Sequence, residues 1–174
     1  MELTAAELTI LGLVIEKPMH GYDLEHVIEL RGIRQWTDIG FSSIYYLLTK
    51  LEKRSLVQAS EPRAGGKSRR VYHATPEGRD AAARNALAFI AEARPVPQPF
   101  LAGLANLPLL TEQEFVEALR VRLAQLDAQI AAIEGAERSQ VPLPQAAREV
   151  FSYSLSLMKA ERSWLAIRVQ APND

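Results

Sequence analysis

Prolines 95, 97 and 99 fall in the run ARPVPQP, and no other stretch constrains the fold as much. Proline lacks the backbone N–H a helix needs and its ring clashes with the turn before it, so helical periodicity has to stop here. Three of them at alternate positions make a stiff, extended connector. The chain therefore reads as a first domain over residues 1–80, a connecting helix and proline-rich linker over 81–99, and a second domain over 100–174. A composition of 48% apolar and 24% charged residues is that of a globular protein with a core to bury.

The first part opens with Thr4 and, three residues on, Glu7, a capping-box pattern. LTILGLVIE follows, apolar nearly all round and so expected to be buried, until Lys17 and Pro18 end it. HGYDLEHVIELRG predicts a second, shorter helix with Leu24, Val27 and Ile28 at helical spacing and Gly32 as its stop. In RQWTDIG the periodicity lapses; Trp36 is expected as a core plug between helices two and three, and Ser42 or Ser43 as the cap of the third. The stretch GFSSIYYLLTKLEKRSLV is strongly two-faced. On a helix it sets Ile44, Leu47, Leu48 and Leu51 on one side and Ser42, Tyr46, Thr49, Lys50 and Lys53 on the other, with Tyr45 at the edge. Then the period changes: VQASEP, a glycine-tipped turn RAGGK and SRRVYHAT read as two strands of a hairpin. Thr75 and Pro76 restart a helix that runs to about residue 94.

Beyond the prolines, GLANL near residue 103 reads as a break between apolar segments. Thr111 and Glu114 form another capping box. Val116, Leu119, Leu123, Leu126, Ile130 and Ile133 follow at spacings of 3, 4, 3, 4 and 3, a coiled-coil seam. VPLP breaks it, and a last helix over about 145–169 carries Val150, Phe151, Leu157, Met158, Trp164 and Leu165. A bare two-helix hairpin has too little core to stand alone. The seam, with Leu157 and Trp164, is therefore expected to pair with a second copy of the chain, the alternative being that it packs inside one subunit. Phe151, Met158 and Trp164 recur on nearby turns; they either pack or line the pocket of a small effector.

The formal net charge is −1, but the charge is unevenly spread. Residues 1–38 hold three basic and seven acidic side chains, whereas residues 50–70 hold seven basic and two acidic. Such a block can bind phosphates, since affinity follows the local field. Three short helices followed by a basic hairpin is the element order of a winged helix-turn-helix domain, mainly α with a small β-hairpin wing. In that arrangement the third helix enters the major groove of duplex DNA and the wing lies on the backbone or minor groove. Hydroxyls, tyrosines and ammonium groups on the outward face suit phosphate and base-edge contacts. In the wing, Lys67, Ser68, Arg69 and Arg70 are the contact residues. Arg69 and Arg70 alternate sides of a strand, so one points toward phosphate while the other lays its stem along the hairpin.

Other chemistries find little support. The absence of cysteine excludes disulfides, iron–sulfur clusters and thiolate zinc sites, and suits a reducing cytoplasm. His20, His26 and His73 lack metal-ligand spacing, so no metal or other cofactor is expected. No nucleophile elbow, P-loop or dinucleotide fingerprint occurs, which argues against an enzyme. No apolar run nears the roughly 20 residues that span a bilayer, and the first residues do not read as a secretory signal, so a cytoplasmic protein away from membranes is expected.

The strings ILGLVIEKPMHGYDLE, Trp36 followed by SSIYYLLTKLEKRSLV, and GGKSRRVYHATPEG, in that order over residues 8–78, resemble successive motifs of the PadR-like family of transcriptional regulators. The C-terminal half is similar to that family's helical dimerisation region in helix lengths and loose patterning. The resemblance implies a homodimeric repressor on an inverted-repeat operator, released in some members by a small, often aromatic, effector. At matching positions it implies DNA contacts from Tyr22, from Ser43, Tyr45 and Lys50, and from Lys67, Arg69 and Tyr72. The family commonly has proline where Tyr46 stands and glycine where Ser55 stands. Two readings from other classes remain beside it: a winged-helix adaptor for proteins that ignores DNA, and a helical small-molecule binder.

Overall fold

The computed structural model describes residues 2–40, 42–60, 70–93, 95–139 and 142–170. Helix α1 (Ala5–Glu16) begins as its capping box requires: Glu7 N–H donates to the Thr4 hydroxyl at 3.2 Å, and Thr4 N–H to the Glu7 carboxylate at 2.8 Å. Strand β1 (Met19–His20) leads directly into α2 (Gly21–Leu30), and a single 3-10 turn, Ile33–Gln35, precedes α3 (Ser43–Lys53). Strands β2 (Val57–Ala59) and β3 (Val71–Ala74) follow, then α4 (Pro76–Ala91). The architecture is the expected one, mainly α with a small antiparallel sheet.

The sheet has three strands, not two. Its order is β1-β3-β2, with Met19 opposite Tyr72 and Val57 opposite Ala74. Around it Ile10, Leu11, Val14, Leu24, Ile28, Ile44, Leu48, Leu51 and Val57 form one core with no or almost no exposure. Each helix contributes the apolar stripe its spacing set out, so α3 is seated by Ile44, Leu47, Leu48 and Leu51.

Trp36 departs from expectation: it is 49% exposed and plugs nothing. The two core positions of that loop are filled by Ile33 and Ile39, both nearly inaccessible, and the loop itself is held by Arg34, which donates to Glu25, Glu29 and the Ile39 carbonyl. A bulky indole has no place left inside. Neither serine caps α3 as expected: Ser42 occupies the N-cap position but makes no side-chain capping bond.

Helix α3 ends in a Schellman motif, with Leu56 N–H donating to the Leu51 carbonyl and Ser55 N–H to that of Glu52, both at 2.9 Å. The motif needs a left-handed residue, and Ser55 adopts φ 57°. A few residues on, the Thr75 hydroxyl accepts from Gly78 N–H at 2.9 Å to cap α4, and a Cβ at Gly78 would collide with the Leu56 carbonyl oxygen. Buried Asn85 ties α4 back to the start of the chain, accepting from Leu3 N–H at 2.8 Å.

The chain divides into two compact units, Met1–Pro95 and Val96–Asp174. In the second, α5 (Pro99–Ala105) is a helix where the sequence suggested only a break. Proline at its first turn needs no N–H partner, which is why the helix starts inside the proline run. A 3-10 turn (Leu107–Leu109) leads to α6 (Glu112–Ser139), which pairs with α7 (Gln145–Gln170) as an antiparallel hairpin. Leu119, Leu126, Ile130 and Ile133 are buried against Leu155 and Leu165 of α7, and Arg122–Glu161 (2.6 Å) and Lys159–Glu134 (2.7 Å) flank the seam.

A left-handed conformation costs a non-glycine residue about 1–2 kcal/mol, part of which glycine gives back as unfolded-state entropy. Ser55→Gly is therefore expected to stabilise the protein by up to about 1 kcal/mol in denaturant titrations, and Gly78→Ala to destabilise it by more than that.

Candidate nucleic-acid interface

The outward face of α3 exists because its other face is fully committed to the core. Tyr45 and Tyr46 are exposed, Tyr46 at 66%, and Ser42, Thr49 and Lys53 share their side of the helix. Thr49 donates its hydroxyl proton to the Tyr45 carbonyl at 2.8 Å, which leaves its oxygen to accept. Tyr45 also fixes the helix-turn-helix angle: its ring lies on Gly21, where a Cβ would come 2.6 Å from Tyr45 Cε1. Tyr22, on the first turn of α2, is exposed beside this contact. These side chains, with Ser43, form one polar, aromatic surface of the kind a major groove accepts.

Three predicted contact residues stand differently. Tyr72 is only 6% exposed and belongs to the core, because its place on β3, opposite Met19, turns it inward, away from the surface the sequence expected it to share. Lys50 is partly buried and its ammonium lies 3.0 Å from Glu7, so it serves first as a tether between α3 and α1. Arg70 lies along the hairpin, its guanidinium 2.7 Å from Glu52 and 5.7 Å from the centre of the Tyr72 ring. Lys67, Ser68 and Arg69 lie outside the described residues.

Arg54, read in the sequence only as a member of the basic block, is central to the geometry. It donates to Glu7 at 2.9 Å and to the Glu2 carbonyl at 2.9 Å. Glu7, 1% exposed, thus receives Lys50, Arg54 and the Thr4 amide. Burial alone would raise its carboxyl pKa; the Thr4 amide bond and the Lys50 ammonium outweigh that and hold it below the ordinary 4.5. Only the Thr4–Glu7 spacing was visible in sequence; the cations come from 43 and 47 residues further on.

In the second unit, Leu119, Leu126, Ile130 and Ile133 are buried by their own hairpin and Leu123 and Val116 partly so, which leaves the seam little surface for a second copy. Leu157 is 55% exposed. Phe151, Met158 and Trp164 all pack on the hairpin core. Trp164 meets Phe100 edge to face at 5.8 Å and lies under the Arg168 guanidinium at 3.4 Å. A separate groove of about 900 Å³ runs between α5 and α6, lined by Phe100, Leu104, Leu107, Phe115 and Arg122 among others, and none of the three expected effector residues lines it. Among the described residues no cluster of acidic, histidine or cysteine side chains is arranged to hold a metal, and no helix is long and apolar enough to cross a membrane.

The Glu7 cluster carries a pH signature. A depressed carboxyl pKa contributes stability that is present above 4.5 and lost as pH falls through the folded-state value. Glu7→Gln is expected to cost about 1–3 kcal/mol at neutral pH, by unpairing the two cations, and to flatten the acid limb of a stability-versus-pH curve.

Residues 10–84 match the model of the Transcriptional regulator PadR-like family. Among solved structures, Bacillus subtilis PadR in complex with operator DNA aligns with a TM-score of 0.75 at 20% identity, covering 95% of this chain and 98% of that one. Bacillus subtilis PadR in complex with p-coumaric acid aligns equally well, 0.75 at 20% identity over 94% and 95% of the two chains. A PadR-like transcriptional regulator from Bacillus cereus aligns at 0.71 and 18% identity, again over 94% and 95%. At such identities the likeness is one of fold, and no curated protein matches the sequence. The model of the PadR-like family thus matches residues 10–84, and along nearly its whole length the chain has the fold of PadR-like transcriptional regulators.

Proposed function

We propose that the protein is a homodimeric transcriptional repressor of the cytoplasm that binds an inverted-repeat operator and leaves it when a small, aromatic effector binds. The reading head lies in residues 1–80, a connecting helix and linker in 81–99, and the pairing region in 100–174. The observation that carries this is the outward face of α3: its apolar side is wholly buried, yet it holds Tyr46, hydroxyls and Lys53 in solvent with no core function to explain them, beside Tyr45, which is exposed although its ring rests on Gly21. A regulator with the same fold has been crystallised on operator DNA and with p-coumaric acid, which supports both halves of the reading.

In this reading Tyr22, Ser42, Ser43, Tyr45, Tyr46 and Thr49 approach base edges and sugar-phosphate, while Lys53, with Lys67 and Arg69 of the wing, supplies the charge. Lys50 is held back by Glu7. An inverted repeat needs two heads about one helical turn, or about 34 Å, apart, hence two copies.

The second copy has a surface to use. Helix α7 carries two apolar stripes. One, including Phe151, Leu155, Met158, Leu165 and Val169, faces α6 within the subunit. The other, Val150, Tyr153, Leu157 and, ten residues on, Ile167, is exposed; Ala160 and Trp164 complete its spacing of 3, 4, 3, 4 and 3. That is a heptad row whose members, apart from Trp164, are exposed among the described residues. Pairing through it keeps Leu157 and Trp164 at the interface and sets Phe151 and Met158 just beneath, where an effector can alter the angle between the two heads. An effector acts this way only by binding one arrangement more tightly than the other.

Selection from random duplexes is expected to yield a palindromic consensus with half-sites about 10 base pairs apart, or a multiple of that. No enrichment at low salt would remove the DNA-binding reading and leave the protein adaptor. Lys53→Ala is expected to reduce the slope of log affinity against log salt by about one, and Lys50→Ala by clearly less. Leu157→Glu is expected to give a folded monomer by light scattering, with unchanged helix content, that binds a single half-site weakly.

A further inference from the structure

Among the described residues three cations of the basic block are paired with carboxylates, but the pairs differ in kind. Lys50 and Arg54 meet Glu7, which is buried; pulling a cation away would strand a charge out of reach of water. Arg70 meets Glu52 in the open, with side-chain exposures of 55% and 30%. Exposed ion pairs are worth little and exchange readily. The rest of Arg70 is well placed: its carbonyl lies 3.1 Å from His20 Nδ1, and its guanidinium sits near the ring of buried Tyr72. So the backbone is tied to the sheet at the base of the hairpin while the cationic head is held by a group that can be displaced.

A guanidinium that grips a carboxylate has the shape and charge to grip a phosphate. Glu52 lies in the last turn of α3, the helix whose outward face is read as meeting the duplex. We propose that Glu52 is an internal competitor for the DNA phosphate that Arg70 binds, and so sets the affinity and salt dependence of the interface. This rests on the DNA-binding reading above. In the free protein Glu52 occupies Arg70; on a duplex the arginine turns to the backbone, and the carboxylate left behind opposes the phosphates. Both effects weaken binding of duplex of any sequence, so recognition depends more heavily on the base contacts of α3.

The test is a double-mutant cycle of E52Q and R70A, measuring affinity for operator and for random duplex over a range of salt. E52Q is expected to tighten both about two- to fivefold near 0.1 M salt, the worth of an exposed ion pair, and to steepen the salt slope by about one. In the R70A background the same change is expected to give a clearly smaller gain, the part due to the carboxylate's own repulsion of phosphate. E52A, which removes the charge without keeping the amide, is expected to behave as E52Q does; thermal melts on all four proteins establish that the fold is kept. Wild-type binding with no gain from E52Q or E52A overturns the proposal. So does an equal gain with and without Arg70, which would mean that Glu52 acts through net charge alone. Failure of the wild-type protein to bind any duplex at low salt overturns instead the DNA-binding reading itself.

Discussion

A carboxylate that water cannot reach must be satisfied from within, and in this fold the one that matters is Glu7. Its first role is local, closing the capping box of α1 through the Thr4 amide. Its second is long-range: the other oxygen draws Lys50 and Arg54 of the helix-turn-helix onto α1. Apolar packing by Ile44, Leu48 and Leu51 seats α3 but is tolerant of small rotations, since any rotation that keeps the stripe inward buries similar area. The charge-assisted bonds to Glu7 are directional and remove that freedom. The presentation of Tyr46, Thr49 and Lys53 therefore depends on a residue that lies on neither the reading helix nor the wing.

This changes how the basic block is to be counted. Seven cations lie between residues 50 and 70, and a sum over sequence credits them all to the field that a phosphate meets. In the folded protein Lys50 and Arg54 share one buried carboxylate and Arg70 another that is half-exposed. Of the described members, Lys53 alone has no carboxylate partner among the described residues.

The features legible in the sequence were those written in short-range periodicity. The stripe Ile44, Leu47, Leu48, Leu51, the two capping boxes, the proline stops and the glycine at position 32 each act within a turn or two, and α1 to α4, α6 and α7 fall where they indicate. What escaped was set by tertiary context. Strand β1 is two residues long and exists only because β3 comes to lie beside it. Trp36 looked like a core residue by size, but the positions it would fill were taken by Ile33 and Ile39. Tyr72 and Lys50 matched motif positions, yet strand alternation and a distant glutamate decide where those side chains point. Arg54 was visible only as one cation of the basic block, because the partners it tethers, Glu7 and the Glu2 carbonyl, are about fifty residues away.

The same distinction separates the two stripes of α7. A heptad spacing says that a helix has a partner, not which helix it is. On α6 the stripe is answered within the chain, by Leu155 and Leu165. On α7 the inner stripe answers it, and the outer one, a third of a turn round, keeps Tyr153, Leu157 and Ile167 in water. A monomer would leave this row exposed along most of a helix of 26 residues, an arrangement that soluble chains keep only where something covers it. The only partner guaranteed to be present at matching concentration and length is another copy, and two such helices crossing on a two-fold axis bring each outer stripe onto itself. Because inner and outer stripes are rigidly joined by one backbone, a change in packing under Phe151 or Met158 also turns the exposed row of Val150, Tyr153, Leu157 and Ile167.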